Sequence, residues 1–355
     1  MNEPSAVFEI IHSIVNDKDD EHLSVIEMCQ IAGVSRSGYY AWIKAAPIRA
    51  MQEEQDRKDF ELILDAYNHR GYDKGARGIY MRLLHMDPPV RMNLKKIRRL
   101  MKKFRLICPI RKANPYRKMA QALKTSNVAE NLLMREFECY GPRTVLLTDI
   151  TYIPYNGRFA YLSTILDAYT KQVLAYVPSD YNLEVDFVLE TVEILIRDYG
   201  ISLNQWTIIH SDQGSHYTSH RFIEIMNDKE LRRSMSRKGN CWDNAPQESF
   251  YGRMKDHIKG KIKDCKTFEE VVNVIDDYMD YYNNEKYQWE LAKLSPNEFY
   301  KFCQTGEYPL KIDNPPDVPV PKKHPSELGK KLTQTRDKGS DNTAATPEET
   351  SNATD

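Results

Sequence analysis

Three carboxylates in this chain stand where they could act together. Asp149 follows the apolar run Val145-Leu146-Leu147, and Asp212 follows Trp206-Thr207-Ile208-Ile209. Glu248 lies on a helix expected to begin near Asn244, after the loop Arg237-Lys238-Gly239-Asn240-Cys241-Trp242-Asp243. Neighbouring strand ends in a sheet are natural places for side chains to converge. Brought to one point, ionised carboxylates repel by about 4 kcal/mol per pair at 4 Å with an effective dielectric near 20, so such a cluster requires protons or cations. An all-oxygen donor set favours Mg2+ or Mn2+, and two such ions about 4 Å apart suit phosphoryl transfer. Taken singly, an Asp after a strand is usually a turn or helix cap, and a Glu on a helix is usually solvated. Only their joint context argues otherwise.

The elements that would carry these acids are legible in the pattern. Phe159 to Leu166 and Gln172 to Val177 are β-rich runs, with the turn residues Asn156-Gly157 before the first. A helix is expected from Leu183 to Tyr199, with Val185, Val188, Leu189, Val192, Leu195 and Ile196 as its apolar face. Helices then dominate to about Phe302. Three early strands, a helix, a further strand and late helices predict an α/β layer with a mixed sheet.

Upstream, the pattern is helical. Ser24-Val25-Ile26-Glu27 is a capping box, Gly33 supplies a turn, and Ser35 can cap a second helix carrying Arg36, Tyr39, Tyr40 and Trp42. This is a helix-turn-helix spacing, with a plain helical hairpin as the alternative, and Tyr39 and Tyr40 fit core or base-reading roles equally. From Asp56, Phe60, Ile63, Leu64 and Tyr67 recur at helical spacing, as do Ile79, Leu83 and Leu84 after Gly75 and Gly78. Asn93 can cap a third helix. It places Leu94, Ile97, Leu100, Met101 and Phe104 on one face and Lys95, Lys96, Arg98, Arg99, Lys102 and Lys103 on the other. From Pro88 to Lys118 there are twelve Lys or Arg residues and no acid, so the net charge of −1 hides an uneven distribution. With no acid nearby in sequence to balance it, this face is expected to contact phosphates. If half of the twelve charges did so, affinity would fall roughly 10³-fold between 50 and 200 mM salt.

The composition, 41% hydrophobic and 28% charged, is that of a soluble globular protein of two or three domains. No apolar run approaches the roughly 18 residues of a membrane span, and the N-terminus carries no signal pattern. Cys29, Cys108, Cys139, Cys241, Cys265 and Cys303 include no C-x-x-C pair, which argues against a zinc site or disulfide framework and for the cytoplasm. After Tyr308 the chain turns to Pro, Lys, Thr, Asn and Asp, and it reads as a disordered polar tail.

Three segments carry a resemblance: Thr148-Asp149-Ile150-Thr151-Tyr152, His210-Ser211-Asp212-Gln213-Gly214-Ser215 and Asp243-Asn244-Ala245-Pro246-Gln247-Glu248-Ser249-Phe250. They closely resemble the catalytic motifs of bacterial insertion-sequence transposases of the IS-three family, second reading-frame product, near its IS-one-fifty branch. Those enzymes, like retroviral integrases, place thirty-five residues between the second acid and the Glu, and residues 213–247 give that count. The family also carries a Lys or Arg seven residues after the Glu; here it is Lys255, nearly two helical turns on and so on the face of Glu248. Lys74-Gly75-Ala76-Arg77-Gly78-Ile79 and Pro109-Ile110-Arg111-Lys112-Ala113-Asn114-Pro115-Tyr116 look like the family's second helix-turn-helix and its linker.

The resemblance implies an RNase H-like catalytic core with a mixed sheet, preceded by all-α helix-turn-helix DNA-binding units. The expected boundaries are 1–55, 56–118, a linker over 119–141, the core over 142–305 and the tail over 306–355. It further implies that Asp149 and Asp212 bridge two Mg2+ (or Mn2+) ions while Glu248 completes one shell, for strand cleavage at element ends and strand transfer. The partners would be DNA (terminal inverted repeats and target), further copies of the chain, and the upstream reading-frame product. Lys255, Trp242 and Asn244 are candidate DNA contacts, and His210 and His216, which flank Asp212, are candidates for metal or proton-transfer roles or for packing. The family commonly gains an extra helix-turn-helix and a leucine zipper by frameshifting, and no sustained heptad repeat is present here. The rival readings are a catalytically silent DNA-binding regulator and an RNase H-type nuclease, which lacks the thirty-five-residue spacing.

Overall fold

A computed structural model describes residues 4–16, 23–72, 74–109, 133, 136–180, 185–236 and 244–328. Among them α1 (Pro4–Asn16), α2 (Val25–Ile31), α3 (Arg36–Lys44), α4 (Ala46–Asn68), α5 (Ala76–Leu84) and α6 (Leu94–Lys103) come first. There follow β1 (Val145–Tyr155), β2 (Arg158–Asp167), β3 (Val173–Ser179), α7 (Asp186–Tyr199), β4 (Ile208–Ser211), α8 (His220–Asp228), β5 (Arg232–Met235), α9 (Ala245–Asp264), α10 (Phe268–Asn284) and α11 (Pro296–Thr305). Two compact units emerge: Met1–Ala66 with Lys95–Ile107, and Tyr67–Leu94 with Cys108–Asp355. The segment expected as a basic domain over 56–118 contributes to both units, with α5 in the second.

In the first unit the caps form as the sequence predicts. Ser24 accepts from the Glu27 N–H while the Glu27 side chain accepts from the Ser24 N–H, and Ser35 caps α3. Gly33 turns the chain with φ +67°, a conformation an L side chain rarely adopts. Tyr39 is buried with Phe8, Ile11, Met28 and Cys29, whereas Tyr40 is exposed. Tyr39 is thus a core residue, because α3 must bury one face against α1 and α2.

The basic face of α6 differs from expectation. Arg99 holds Asp56 by two hydrogen bonds of 2.7 and 2.6 Å, Lys103 pairs with Asp56 at 2.8 Å and with Glu53, and Lys96 pairs with Asp59. The acids lie not near in sequence but on α4, spaced by three so that they form one stripe facing α6. Phe60 and Phe104 stack at 4.3 Å in the same unit. Arg98 and Lys102 are exposed, as are Lys95 and, on the first turn of α3, Arg36.

The second unit is built on a five-stranded sheet in the order β3-β2-β1-β4-β5, antiparallel through β3-β2-β1 and parallel through β1-β4-β5. Alternation sorts β1 between two cores. Val145, Leu147 and Ile153 pack with Phe250, Met254, Ile258 and Ile275 of α9 and α10, while Leu146 packs with Phe187, Val188, Val192 and Phe222 of α7 and α8. The short edge strand β5 was not expected: Arg232-Arg233-Ser234-Met235 shows no apolar alternation, and the strand forms because β4 offers it a partner. At the base of the sheet, buried Arg143 pairs with buried Asp167 at 3.0 Å, and the Arg143, Tyr169 and Thr170 N–H groups also donate to that carboxylate.

In this unit one motif residue finds a structural role and one expectation is corrected. Lys74 is buried and its Nζ donates to the carbonyls of His69 and Tyr72, so in this motif it closes the turn before α5. The tail does not become disordered at 306. Leu328 is fully buried in the core beside α9 and α10, and Lys323 donates its N–H to the Cys139 carbonyl and its ammonium to Glu136. One well-placed apolar residue and specific hydrogen bonds outweigh the polar composition there. Residues 329–355, the linker from Ile110 to 132 and the loop 237–243 lie outside the described residues.

Candidate active site

The parallel ladder between β1 and β4 lasts three residues, Val145↔Ile208 to Leu147↔His210. Beyond it β1 runs on as a hairpin with β2 to Tyr155 and Arg158, while β4 ends at Ser211. Asp149 therefore sits inside a strand, not at its end as the sequence suggested, but two residues past the point where the two strands part. Asp212 is the first residue after β4. Both acids thus lie at the mouth that opens between β1 and β4.

Local bonds orient each of them. The Ile150 N–H donates to Asp149 Oδ1 at 2.8 Å, and the Gly214 N–H donates to Asp212 Oδ1 at 2.8 Å. A Cβ at position 214 would lie 2.9 Å from that same oxygen, which explains the glycine in the His210–Ser215 motif. Glu248 is half-buried in the first turn of α9.

What holds α9 over the strands is a set of residues that sequence reasoning missed. The Tyr251 hydroxyl donates to the Asp149 carbonyl oxygen and lies 2.8 Å from Thr164 Oγ1, and Gln247 Nε2 donates to that same Thr164 oxygen. Thr164 is the register partner of Asp149 on β2. Gln247 and Tyr251 bracket Glu248 on one helix face, so the clamp fixes the acid's height above Asp149. The available signal was their spacing of one and three residues from Glu248 on the helix.

The electrostatics show which groups converge. The Asp149 carboxyl is pushed up to about 8, first by burial and then by Asp212, with Glu248 adding to the rise and Lys255 and the Ile150 N–H opposing it. Asp212 is reached by solvent, yet surrounding protein still raises its carboxyl, with the Gly214 N–H and His216 pulling it back. Asp212, Glu248 and Lys255 therefore all lie within electrostatic reach of Asp149. As they stand, no three His, Cys, Asp or Glu side chains among the described residues converge closely enough to hold a metal ion. The donor chemistry nonetheless fits a divalent cation: hard oxygens whose mutual repulsion raises Asp149 would gain most from added positive charge.

The remaining candidates separate clearly. Both ring nitrogens of His210 lie against serine hydroxyls, Ser234 at 2.9 Å and Ser236 at 3.2 Å, so it ties β5 to β4. His216 is the histidine whose charge reaches Asp212. Asn244, expected at a DNA surface, is instead buried at the start of α9, and both amide atoms are without a hydrogen-bond partner among the described residues. Trp242 lies outside those residues.

Comparison with known proteins bears on this arrangement. An HTH-like domain family matches residues 54–114, and two integrase core domain families match 140–241 and 248–301. The insertion element IS600 uncharacterized 31 kDa protein of Shigella sonnei is 30% identical over 273 residues, covering 77% of this chain and 97% of that protein. The chain belongs to the IS-three (IS3) family of insertion-sequence transposases. The putative transposase InsK of IS150 from Escherichia coli, another relative, is 28% identical over 77% of this chain and 92% of its own length. The catalytic core of HTLV-2 integrase, solved in complex with magnesium, covers 45% of this chain and 97% of its own at 15% identity and a TM-score of 0.35, too distant to carry an argument. As in the family, the mixed sheet with helices on both faces is an RNase H-like core, a polynucleotidyl-transferase type of enzyme preceded by an HTH-like region. Among the described residues no helix is long and apolar enough to cross a membrane.

Proposed function

We propose that this transposase cleaves DNA strands at the ends of its insertion sequence and transfers them to a new target, with Asp149, Asp212 and Glu248 as the reacting centre. What supports this reading is that Asp212, just past β4, and Glu248, in the first turn of α9, both act electrostatically on Asp149, next to the point where β1 and β4 part. Asp149 and Asp212 would hold divalent metal between them and Glu248 would complete the set. Bound there, a pair of Mg2+ or Mn2+ ions supplies activation of the attacking water or 3′-hydroxyl and stabilisation of the departing 3′ oxygen.

The chain's own residues do the positioning. Tyr251, Gln247 and Thr164 hold Glu248 over β1, and Lys255, on the same helix face, meets a phosphate of the bound strand. No covalent enzyme intermediate is required. DNA is the macromolecular partner, with Arg36, Lys95, Arg98 and Lys102 as backbone contacts outside the catalytic unit, and several copies would meet on DNA to bring two ends together. Incubating the full chain with a labelled fragment of its own element end, a target plasmid and Mg2+ tests the reading. Metal-dependent nicking followed by joined product is expected. Binding without nicking, or nicking without joining, overturns it.

A further inference from the structure

Past Leu147 the β1–β2 hairpin carries two large aromatic side chains into solvent. Tyr152 is 59% exposed and Phe159 50%, and their rings meet perpendicularly at 5.6 Å between centroids. They lie on the face opposite Ile153, which is buried with the side chains of α9. Lys255 nevertheless places its ammonium 4.6 Å from the centre of the Tyr152 ring. A side chain rooted on α9 reaches the other face of β1 because, among the described residues, no strand pairs with β1 on that side beyond Leu147. The same lysine charge is felt at Asp149, three residues back along the strand.

A half-exposed aromatic ring, a second ring set perpendicular beside it and a cation over one face form a built surface rather than a stray hydrophobe. Its position next to the catalytic acids decides what it would meet. Cutting one strand of a duplex end loosens the base beside the scissile phosphate, which then loses a stacking neighbour. An exposed ring replaces that neighbour without regard to sequence, and a cation alongside it meets the adjoining phosphate. We propose that Tyr152, braced by Phe159, is a stacking platform for the unpaired base adjoining the scissile phosphate, with Lys255 directing that base to the ring's other face. This rests on the reading that the site acts on DNA strand ends, and it makes Tyr152 a positioning residue.

The test uses the full chain and a duplex of the element end with 2-aminopurine at the base beside the scissile phosphate. Stacking on Tyr152 should quench its fluorescence on binding. Tyr152→Ala should lose most of the quench and bind a frayed end roughly tenfold more weakly, with little change for fully paired internal DNA. Tyr152→Phe and Tyr152→Trp should restore both. Tyr152→Leu keeps apolar bulk without a ring; it should melt like the wild type and still lack the quench. An unchanged quench in Tyr152→Ala or Tyr152→Leu overturns the proposal. So does a result in which Tyr152→Ala changes only sedimentation, which would make the surface a contact between copies. A wild-type chain that quenches but never cuts with Mg2+ or Mn2+ supports the platform while sinking the catalytic reading, so the two failures are distinguishable.

Discussion

The α4–α6 pair and the mouth between β1 and β4 use the same side-chain chemistry in opposite ways. On α6, Lys96, Arg99 and Lys103 meet Glu53, Asp56 and Asp59, so each charge faces its opposite. At the mouth, Asp149 faces Asp212 and Glu248, and Lys255 is the cation that opposes their repulsion at Asp149. The first arrangement stabilises itself and needs no ligand. The second is unfavourable as it stands and acquires a rationale only when positive charge or protons enter. Charge type alone does not separate structure from function; the sign of the neighbours does.

The sharpest way to break this contrast is at the mouth. Glu248→Gln removes one donor oxygen charge and should lower strand cleavage by about 10³-fold or more, because metal stabilisation of such a reaction is worth several kcal/mol. DNA affinity, measured by gel shift, should stay nearly constant, and wild-type cleavage in this variant would refute the assignment. A smaller effect concerns pH. The Asp149 carboxyl stands near 8 in the folded chain and near the ordinary carboxylate value when unfolded, so the folded state holds the extra proton. Metal-free protein should therefore lose stability as pH rises from about 5 to about 8, by a few kcal/mol at most. Both Asp149→Asn and added Mg2+ should flatten that decline in thermal melts, and a decline untouched by Asp149→Asn would count against the repulsion.

The smallest effects test the paired face. Arg98→Ala should reduce the slope of log affinity against log salt by about 1, as loss of one phosphate contact does. Arg99→Ala should instead cost about 1 kcal/mol of stability through its partly exposed pair with Asp56, with a smaller change in slope. Equal slopes for the two variants would erase the distinction drawn between the faces of α6.

Local signals made much of this legible. Ser24–Glu27 and Ser35 announced their helices because capping is a contact over three residues, and apolar alternation announced β1 to β3. Pairings made only by the fold stayed hidden. Nothing near Lys96, Arg99 and Lys103 in sequence shows that their acids lie some forty residues upstream, although the period-three stripe of Glu53, Asp56 and Asp59 was there to be read. Asp149 looked like a strand end because the apolar run stops; the strand continues because β2 pairs with it along its whole length. Tyr251 and Gln247 read as ordinary helix residues until the register places Thr164 beneath them. The polar stretch after 306 misled because composition averages over Leu328, whose burial is a single event.

The flank of β1 that no strand pairs among the described residues has one more consequence. A strand left without a neighbour invites another strand to dock, and a nuclease whose cleft recruited its own kind would bury its acids in aggregate. Asn156 and Gly157, both with positive φ, close a two-residue hairpin, so Tyr155↔Arg158 is its hydrogen-bonded pair and position 154 turns its backbone nitrogen outward. That position is Pro154, which has no N–H to offer. A docking strand of protein would therefore lack one of the donors it needs at this flank.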